Sequence, residues 1–492
     1  MELYKLTIHE ARELLRKREI SSRELTKSVL ERIRATEGEI RSFISIDFNN
    51  ALKQAERFDK MQKKSELHEL PDLAGIPYGL KDNICTRNMR TTCASRIMEY
   101  FSPVYEGTVV KKLRDSHAVL IGKLNMDEFA IGSSGETSIF PHTRNPWSAD
   151  RVPGGSSGGS AASVAADQIL FSLGSDTGGS IRQPSSFCGI VGMKPTFGAV
   201  SCFGLVPFAT SLDQIGPLCK DVTDCAIVMN IISGFDARDK ASAKIKHPDY
   251  TTFLKDDVSC MRIGFSPKWM AGNLNEDVRN AIEKAKAMFE DMGAVIEEVS
   301  LPHIEYAVPV YFLISSAEAS YNLTGVDGIR MGYEKGAIPE LDELAEYVGM
   351  HELGSAVKKR ILLGNIALCS ENYETYYMKA LKVRTLIKQD FAQAFEKLDL
   401  ILSPTNPDTA FRFGEMQDNI VKMYEYDAFT VPVNLAGLPA MSIPCGFDSK
   451  GLPIGMQLIG KHFGEEALFR AAYTFEQNTD HHLKSPLLRH PQ

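Results

Sequence analysis

The 492-residue sequence has no concentrated block of positive charge, no closely spaced cysteine pair and no long apolar run. Each absence excludes something. Direct grip on nucleic acid takes clustered Lys and Arg that displace counterions. Here the net charge is −8, and the densest basic groups, Lys111-Lys112 and Lys358-Lys359-Arg360, are short. If the protein serves RNA chemistry, another chain holds the RNA. The nine cysteines are scattered, odd in number and never spaced as C-x-x-C, which fits free thiols in a reducing compartment. No uninterrupted apolar run approaches ~18 residues, and the start, MELYKLTIHEARELL, has no signal-peptide apolar core. A cytoplasmic chain with no membrane partner is expected. Familiar cofactor motifs are missing too. No lysine follows the glycine loops as a phosphate-binding loop requires, and no G-x-G-x-x-G spacing suits a dinucleotide. There is no H-E-x-x-H, and His351 and His481-His482 lack metal-ligand spacing. Neither a metal nor a cofactor is expected on this chain.

What is present describes an ordinary soluble globular protein. Hydrophobic residues make up 43% and charged residues 24%, enough for a sizeable core. Residues 1–70 read as a helical lead packed on that core. Thr7-x-x-Glu10 and Ser21-x-x-Glu24 have capping-box spacing, and Leu25, Val29 and Ile33 recur every four residues as one apolar stripe. A polar stretch, DKMQKKSELHELPD, separates these helices from residues 71–492, read as the main body of what is expected to be one compact domain overall. There, strand-like runs (HAVLIGKL, QILFSLG, DLILSPT, GMQLIG) alternate with helical ones such as NEDVRNAIEKAKAMFEDMG and YETYYMKALKVRTLIKQDFAQAFEKL. The alternation predicts an α/β sandwich on a parallel or mixed sheet. LPAMSIPCGFDSKGLPIGMQLIG predicts a late antiparallel hairpin. Polar stretches near 235–250 and 413–422 predict surface loops.

The informative stretch is RVPGGSSGGSAASVAADQILFSLGSDTGGSIRQPSSFCGIVGMKP, residues 151–195. Two glycine loops, each beside serine, flank a short helix and a strand. Glycine pairs are most often plain turns. A tight turn that leaves a strand and enters a helix can, however, aim several N–H groups at one point. That arrangement stabilises an oxyanion by ~3–4 kcal/mol per well-placed donor. A serine nucleophile then needs a base. None of the 11 histidines lies in the stretch, and the nearest upstream is His142. A neutral lysine could serve instead. Free lysine titrates at ~10.4, so about one in a thousand is neutral near pH 7, but burial can lower the value by several units. In LAGIPYGLKDNICT, Lys81 ends an uncharged stretch that begins at Leu73. The bland alternative is a snorkelling lysine, or one paired with Asp82.

These segments together resemble the amidase signature family. GIPYGLKD is similar to its lysine segment and residues 151–195 to its glycine- and serine-rich core. Lys81 lies 75 residues before Ser156, and Ser156 lies 24 before Ser180, intervals the family shares. The resemblance implies Ser180 as the acylated nucleophile, Ser156 as a bridging serine on a cis peptide, and Lys81 as the base. It implies an oxyanion hole from the backbone N–H groups of Thr177, Gly178, Gly179 and Ser180. The implied fold is an α/β/α sandwich around a large twisted mixed β-sheet.

The signature, Leu73 to about Pro217, fixes chemistry and not substrate. The remainder resembles the glutamine-hydrolysing A subunits of tRNA-dependent amidotransferases, in VYFLISSAEASYNLTGVDGIRMGY, KKRILLGNIALCS and YDAFTVPVNLAGLPAMSIPCG. That resemblance implies Arg360 on the glutamine carboxylate, Asp427 on its ammonium and Tyr311 as a hydrogen-bonding wall. It also implies B and C partner subunits in a heterotrimer. Charged tRNA, Glu-tRNA(Gln) or also Asp-tRNA(Asn), would sit mainly on the B subunit. ATP and Mg would be used on the partner. From the residues alone, Arg360 could be an exposed helix arginine and Asp427 a cap before AFTVP. A stand-alone hydrolase of small amides and a non-catalytic scaffold are the competing readings.

Overall fold

A computed structural model describes residues 2–64, 70–326, 351–416 and 420–486. Eleven strands form one sheet: β1 Phe43–Ile46, β2 Pro77–Lys81, β3 Val119–Leu124, β4 Phe171–Asp176, β5 Val191–Lys194, β6 Gln214–Cys219, β7 Arg262–Phe265, β8 Val295–Glu298, β9 Leu400–Pro404, β10 Ala440–Phe447 and β11 Pro453–Gly460. Their order is β1-β3-β2-β4-β6-β5-β10-β11-β9-β7-β8. The sheet is mixed. β2 runs parallel to β3 and β4, and β7 parallel to β8 and β9, while the remaining pairs are antiparallel. The late hairpin is present, with Ala440 opposite Ile459 and Phe447 opposite Pro453.

Helices cover the strands. Gly158–Ala165 packs on β2, β3, β4 and β6, and Arg182–Cys188 on β5, β10 and β11, while Val222–Ile232 lies on β5 and β6. Glu276–Asp291 lies on β8 to β11 and Glu465–Gln477 on β10 and β11. Strands covered in this way read as near-continuous apolar runs, and β2, β3, β4 and β9 are buried at every residue.

Both N-terminal capping boxes close on the helices Ile8–Arg16 and Ser22–Ile40, and Leu25, Val29 and Ile33 are buried. These residues belong to the same apolar cluster as Leu80, Leu173 and Leu458. The backbone N–H groups of Ile8 and His9 donate to Asp224, and His9 Nδ1 lies 2.9 Å from the same carboxylate. Two expectations need correction. The polar stretch opens inside a helix, Phe48–Gln62, because Asp59 accepts the N–H groups of Ser22 and Arg23 and so holds the neighbouring helix. The run from Tyr373 begins as a wider π-helical turn, Tyr373–Met378, before the α-helix Lys379–Ala394. Part of 413–422 and the end of VYFLISSAEASYNLTGVDGIRMGY lie outside the described residues. Among the described residues no helix is long and apolar enough to cross a membrane.

Candidate active site

Parallel β2 and β4 are neighbours, with Leu80 opposite Leu173, so their carboxyl ends reach the same edge. In open α/β sheets that edge is where ligands meet residues projected from strand ends. β2 delivers Lys81 there and β4 delivers Ser175 and Asp176. The glycine loop 177–180 follows directly.

Lys81 Nζ lies 2.6 Å from Ser156 Oγ, 3.0 Å from Ser175 Oγ and 3.1 Å from Ser175 O. Its side chain is wholly excluded from solvent. Asp82, the partner of the bland reading, turns the other way to Lys123 at 3.3 Å and accepts from Thr92 N–H. Burial lowers the Lys81 amine to about 7, against the opposing pull of Asp127, Asp176 and Asp213. A neutral amine has two hydrogens and one lone pair. The two Ser175 oxygens can take the hydrogens, which leaves the lone pair for the Ser156 hydroxyl. Asn83 Nδ2 donates to Ser175 Oγ and holds it in place.

Ser156 follows a cis peptide bond from Gly155 and is fully buried, whereas Ser180 keeps 8% of its surface exposed. The inner serine is placed to relay a proton, and the outer one to meet a substrate. Ser157 N–H donates to Ser180 O at 3.1 Å, stitching the two loops together.

The second loop is held from several sides. The Asp176 carboxylate accepts from Gly179 N–H at 2.8 Å and Ile181 N–H at 3.1 Å. Burial alone would raise its pKa, but the Arg182 guanidinium outweighs burial and holds it well below the usual carboxylate range. Thr430 Oγ1 donates to Gly178 O at 2.7 Å. Gly179 N–H, expected among four converging donors, is thus taken by Asp176. Thr177, Gly178 and Ser180 remain, and no acceptor for their N–H groups is found among the described residues. Tyr311, from the helix Ala307–Leu323, lies against this loop. A Cβ on Gly178 would meet its ring at 2.7 Å, so a side chain there would push Tyr311 away.

The structure also brings Arg360 and Asp427 to Tyr311. Arg360, on the helix Ser355–Leu368, is half-buried, with its guanidinium 3.9 Å from the Phe312 ring centroid and 5.9 Å from that of Tyr311. Its Nη1 donates to Ser315 Oγ at 3.3 Å and Ser316 Oγ at 3.2 Å. Asp427 caps Val431 through its backbone carbonyl, which leaves the carboxyl for another task. Burial raises that carboxyl to about 7, opposed by Arg360 and by Ser133. Arg360 and Asp427 both act on the Tyr311 hydroxyl. A cation, an anion and a phenol thus share one space beside the Ser180 loop, a set matched to an α-amino acid.

Sequence reasoning missed Ser175, Asn83, Asp176 and Arg182. Ser175 and Asp176 stand inside the quoted GSDTGGS, but nothing in their spacing shows which way they point. His9 also escaped notice; with Asp221 and Asp224 it brings three possible metal-ligating atoms within 4.8 Å of one another, remote in sequence from the serine loops.

The amidase family model matches residues 24–469. The A subunit of the glutamyl-tRNA(Gln) amidotransferase of Desulforudis audaxviator is 54% identical over 99% of this chain and 98% of its own length. Its counterpart from Caldanaerobacter subterraneus is also 54% identical, over 97% of each chain. The crystal structure of the Thermotoga maritima counterpart superposes with a TM-score of 0.80 at 41% identity, covering 97% of this chain and 95% of that one.

Proposed function

This chain belongs to the amidase family, and on that premise we propose that it is the glutamine amidohydrolase subunit of a tRNA-dependent amidotransferase. One observation carries the chemistry: a solvent-free lysine amine, lowered to about 7, lies 2.6 Å from the Ser156 hydroxyl. Neutral Lys81 takes the Ser156 proton while Ser156 takes that of Ser180, whose oxygen attacks the side-chain amide carbon of glutamine. The N–H groups of Thr177, Gly178 and Ser180 receive the developing oxyanion. The proton returns through Ser156 to the leaving nitrogen, ammonia departs, and a γ-glutamyl ester remains on Ser180. Water activated by the same relay cleaves the ester and releases glutamate.

The surroundings support glutamine as the acyl donor. Arg360 can bind the α-carboxylate in a two-point fork, Asp427 the α-ammonium, and Tyr311 closes the space between them. Ammonia then serves B and C partner subunits of a heterotrimer in the cytoplasm. There, charged tRNA is bound mainly by the B subunit. ATP with Mg activates the tRNA-bound glutamate, or aspartate, for amidation. The acidic net charge of −8 agrees with leaving tRNA to the partner.

The test is glutamine hydrolysis by the purified complex with and without charged tRNA, beside Ser180→Ala. The variant should lose glutamine-dependent amidation and keep amidation driven by added ammonia. Loss of both activities would contradict an ammonia-supplying role, and hydrolysis indifferent to tRNA would favour a stand-alone hydrolase.

A further inference from the structure

Asp213 stands just before β6, fully surrounded by protein except where it borders a cavity of about 570 Å³. Its two carboxylate oxygens do different work. Oδ2 accepts the N–H groups of Phe208 and Ala209, at 2.8 and 3.1 Å, and so closes its own turn. Oδ1 is not needed for that turn and instead accepts the Thr177 hydroxyl at 2.6 Å. Thr177 is the first residue of the nucleophile loop, at the point where β4 ends. Asp176 fixes the loop at Gly179 and Ile181 and Thr430 fixes it at Gly178, while the peptide joining Asp176 to Thr177 receives a longer contact, Asn434 Nδ2 to Asp176 O at 3.4 Å. The Thr177 hydroxyl adds a short, direct anchor where the chain leaves the strand, through an acceptor 36 residues away.

We propose that Asp213 is a positioning residue for the oxyanion hole: through Thr177 it sets the direction of the loop's first N–H groups, a role separable from its closure of the 208–213 turn. The inference rests on the reading of this loop as an oxyanion hole. The chemistry of the two oxygens makes the roles separable. In Asp213→Asn the remaining carboxamide oxygen can still receive Phe208 and Ala209 N–H, while the NH2 group faces Thr177, whose hydroxyl must turn round and accept, so the bond is reversed and weakened. The adjoining cavity leaves room for that exchange. Thr177→Val deletes the same bond from the other side at nearly constant shape, and Thr177→Ser keeps it.

The experiment uses the full chain in its complex with the partner subunits. It reads the second-order rate of Ser180 labelling by a fluorophosphonate, together with kcat and KM for glutamine. Losing one aligned oxyanion donor outright costs about 100- to 1,000-fold, so misalignment is expected to slow labelling about 10-fold or more. Thr177→Val should do this with glutamine KM nearly unchanged, and Asp213→Asn should slow labelling less. The double variant should be no slower than Thr177→Val alone, and Thr177→Ser should keep the parent rate. Unchanged labelling in Thr177→Val, or losses that multiply in the double variant, would overturn the proposal. If labelling follows the expected pattern while even the unaltered complex fails to hydrolyse glutamine, the glutamine assignment fails and the role of Asp213 stands.

Discussion

Arg182 and Asp176 form a two-point ion pair, Nε to Oδ2 and Nη2 to Oδ1, both at 3.0 Å and both side chains shut off from water. The pair joins two halves of the molecule. Arg182 also donates to Thr430 O and to the side chains of Gln457 and Asn434, which lie more than 240 residues away along the chain.

Removing the arginine leaves a buried carboxylate without its cation. Arg182→Met is expected to destabilise the fold by about 3–5 kcal/mol and to suppress Ser180 labelling beyond what unfolding explains, because Asp176 then releases Gly179 and Ile181. Arg182→Lys supplies charge but cannot reach all four partners, and should fall between. Urea unfolding and labelling at low denaturant check both effects; a Met variant as stable as the parent would contradict them.

Lys81 should prove costly to the fold. Between pH 7 and 10.5 the unfolded lysine binds a proton that the folded one does not, so stability from this group rises with pH across that window. Lys81→Met should abolish activity yet be more stable, by about 1–3 kcal/mol at pH 7 once the lost hydrogen bonds to Ser156 and Ser175 are set against relief of burial. The gain should be greatest at pH 7 and below and shrink towards pH 10.5. Equal pH dependence in both proteins would show that the amine is not depressed.

Two groups near 7 shape the pH profile of the proposed reaction. Lys81 must be neutral and Asp427 ionised, so glutamine kcat/KM should fall below pH 7 with a slope approaching two. Ser180 labelling by a probe without an ammonium group does not require Asp427, although it shares Lys81 and the Asp213 carboxyl that burial also raises to about 7, and should fall with a slope about one lower. Identical slopes would remove Asp427 from the clamp.

Arg360→Ala should raise glutamine KM about 10- to 100-fold, the loss of a charge-assisted two-point contact, with a smaller change in kcat and in the rate of Ser180 labelling. An unaltered KM would end the carboxylate assignment.

Gly155 lies where two loops touch. A Cβ there would stand 2.0 Å from Asp127 Oδ2 and 2.7 Å from Ser134 N, the second a backbone atom that no rotamer change can move. Gly155→Ala should displace Ser156 and lower Ser180 labelling by several orders of magnitude while leaving most helical signal intact. Wild-type labelling in this variant would contradict the packing.

The sequence made Lys81, Ser156 and Ser180 legible because three motifs agree in type, order and interval, and the capping boxes at Thr7 and Ser21 announce their helices through local chemistry. What escaped is decided by long-range geometry. Strand alternation turns Lys81 towards Ser175 and Asp82 towards Lys123, and only the β2–β4 register reveals which is which. Asp213 reaches Thr177 across 36 residues and Asp224 reaches His9 across 215. Gly179 reads as one more donor along the chain, but in the fold its N–H belongs to Asp176. Spacing along a chain carries no record of which hydrogen bond has already been made.

In the proposed reaction the amine at position 81 is a base only while burial holds it near 7, so it exists as a reagent only in the finished molecule. A nascent or partly opened chain carries an ordinary ammonium there and has no means of attacking amides. Breathing of the β2 and β4 ends alone would switch it off, so loss of cutting should come before melting.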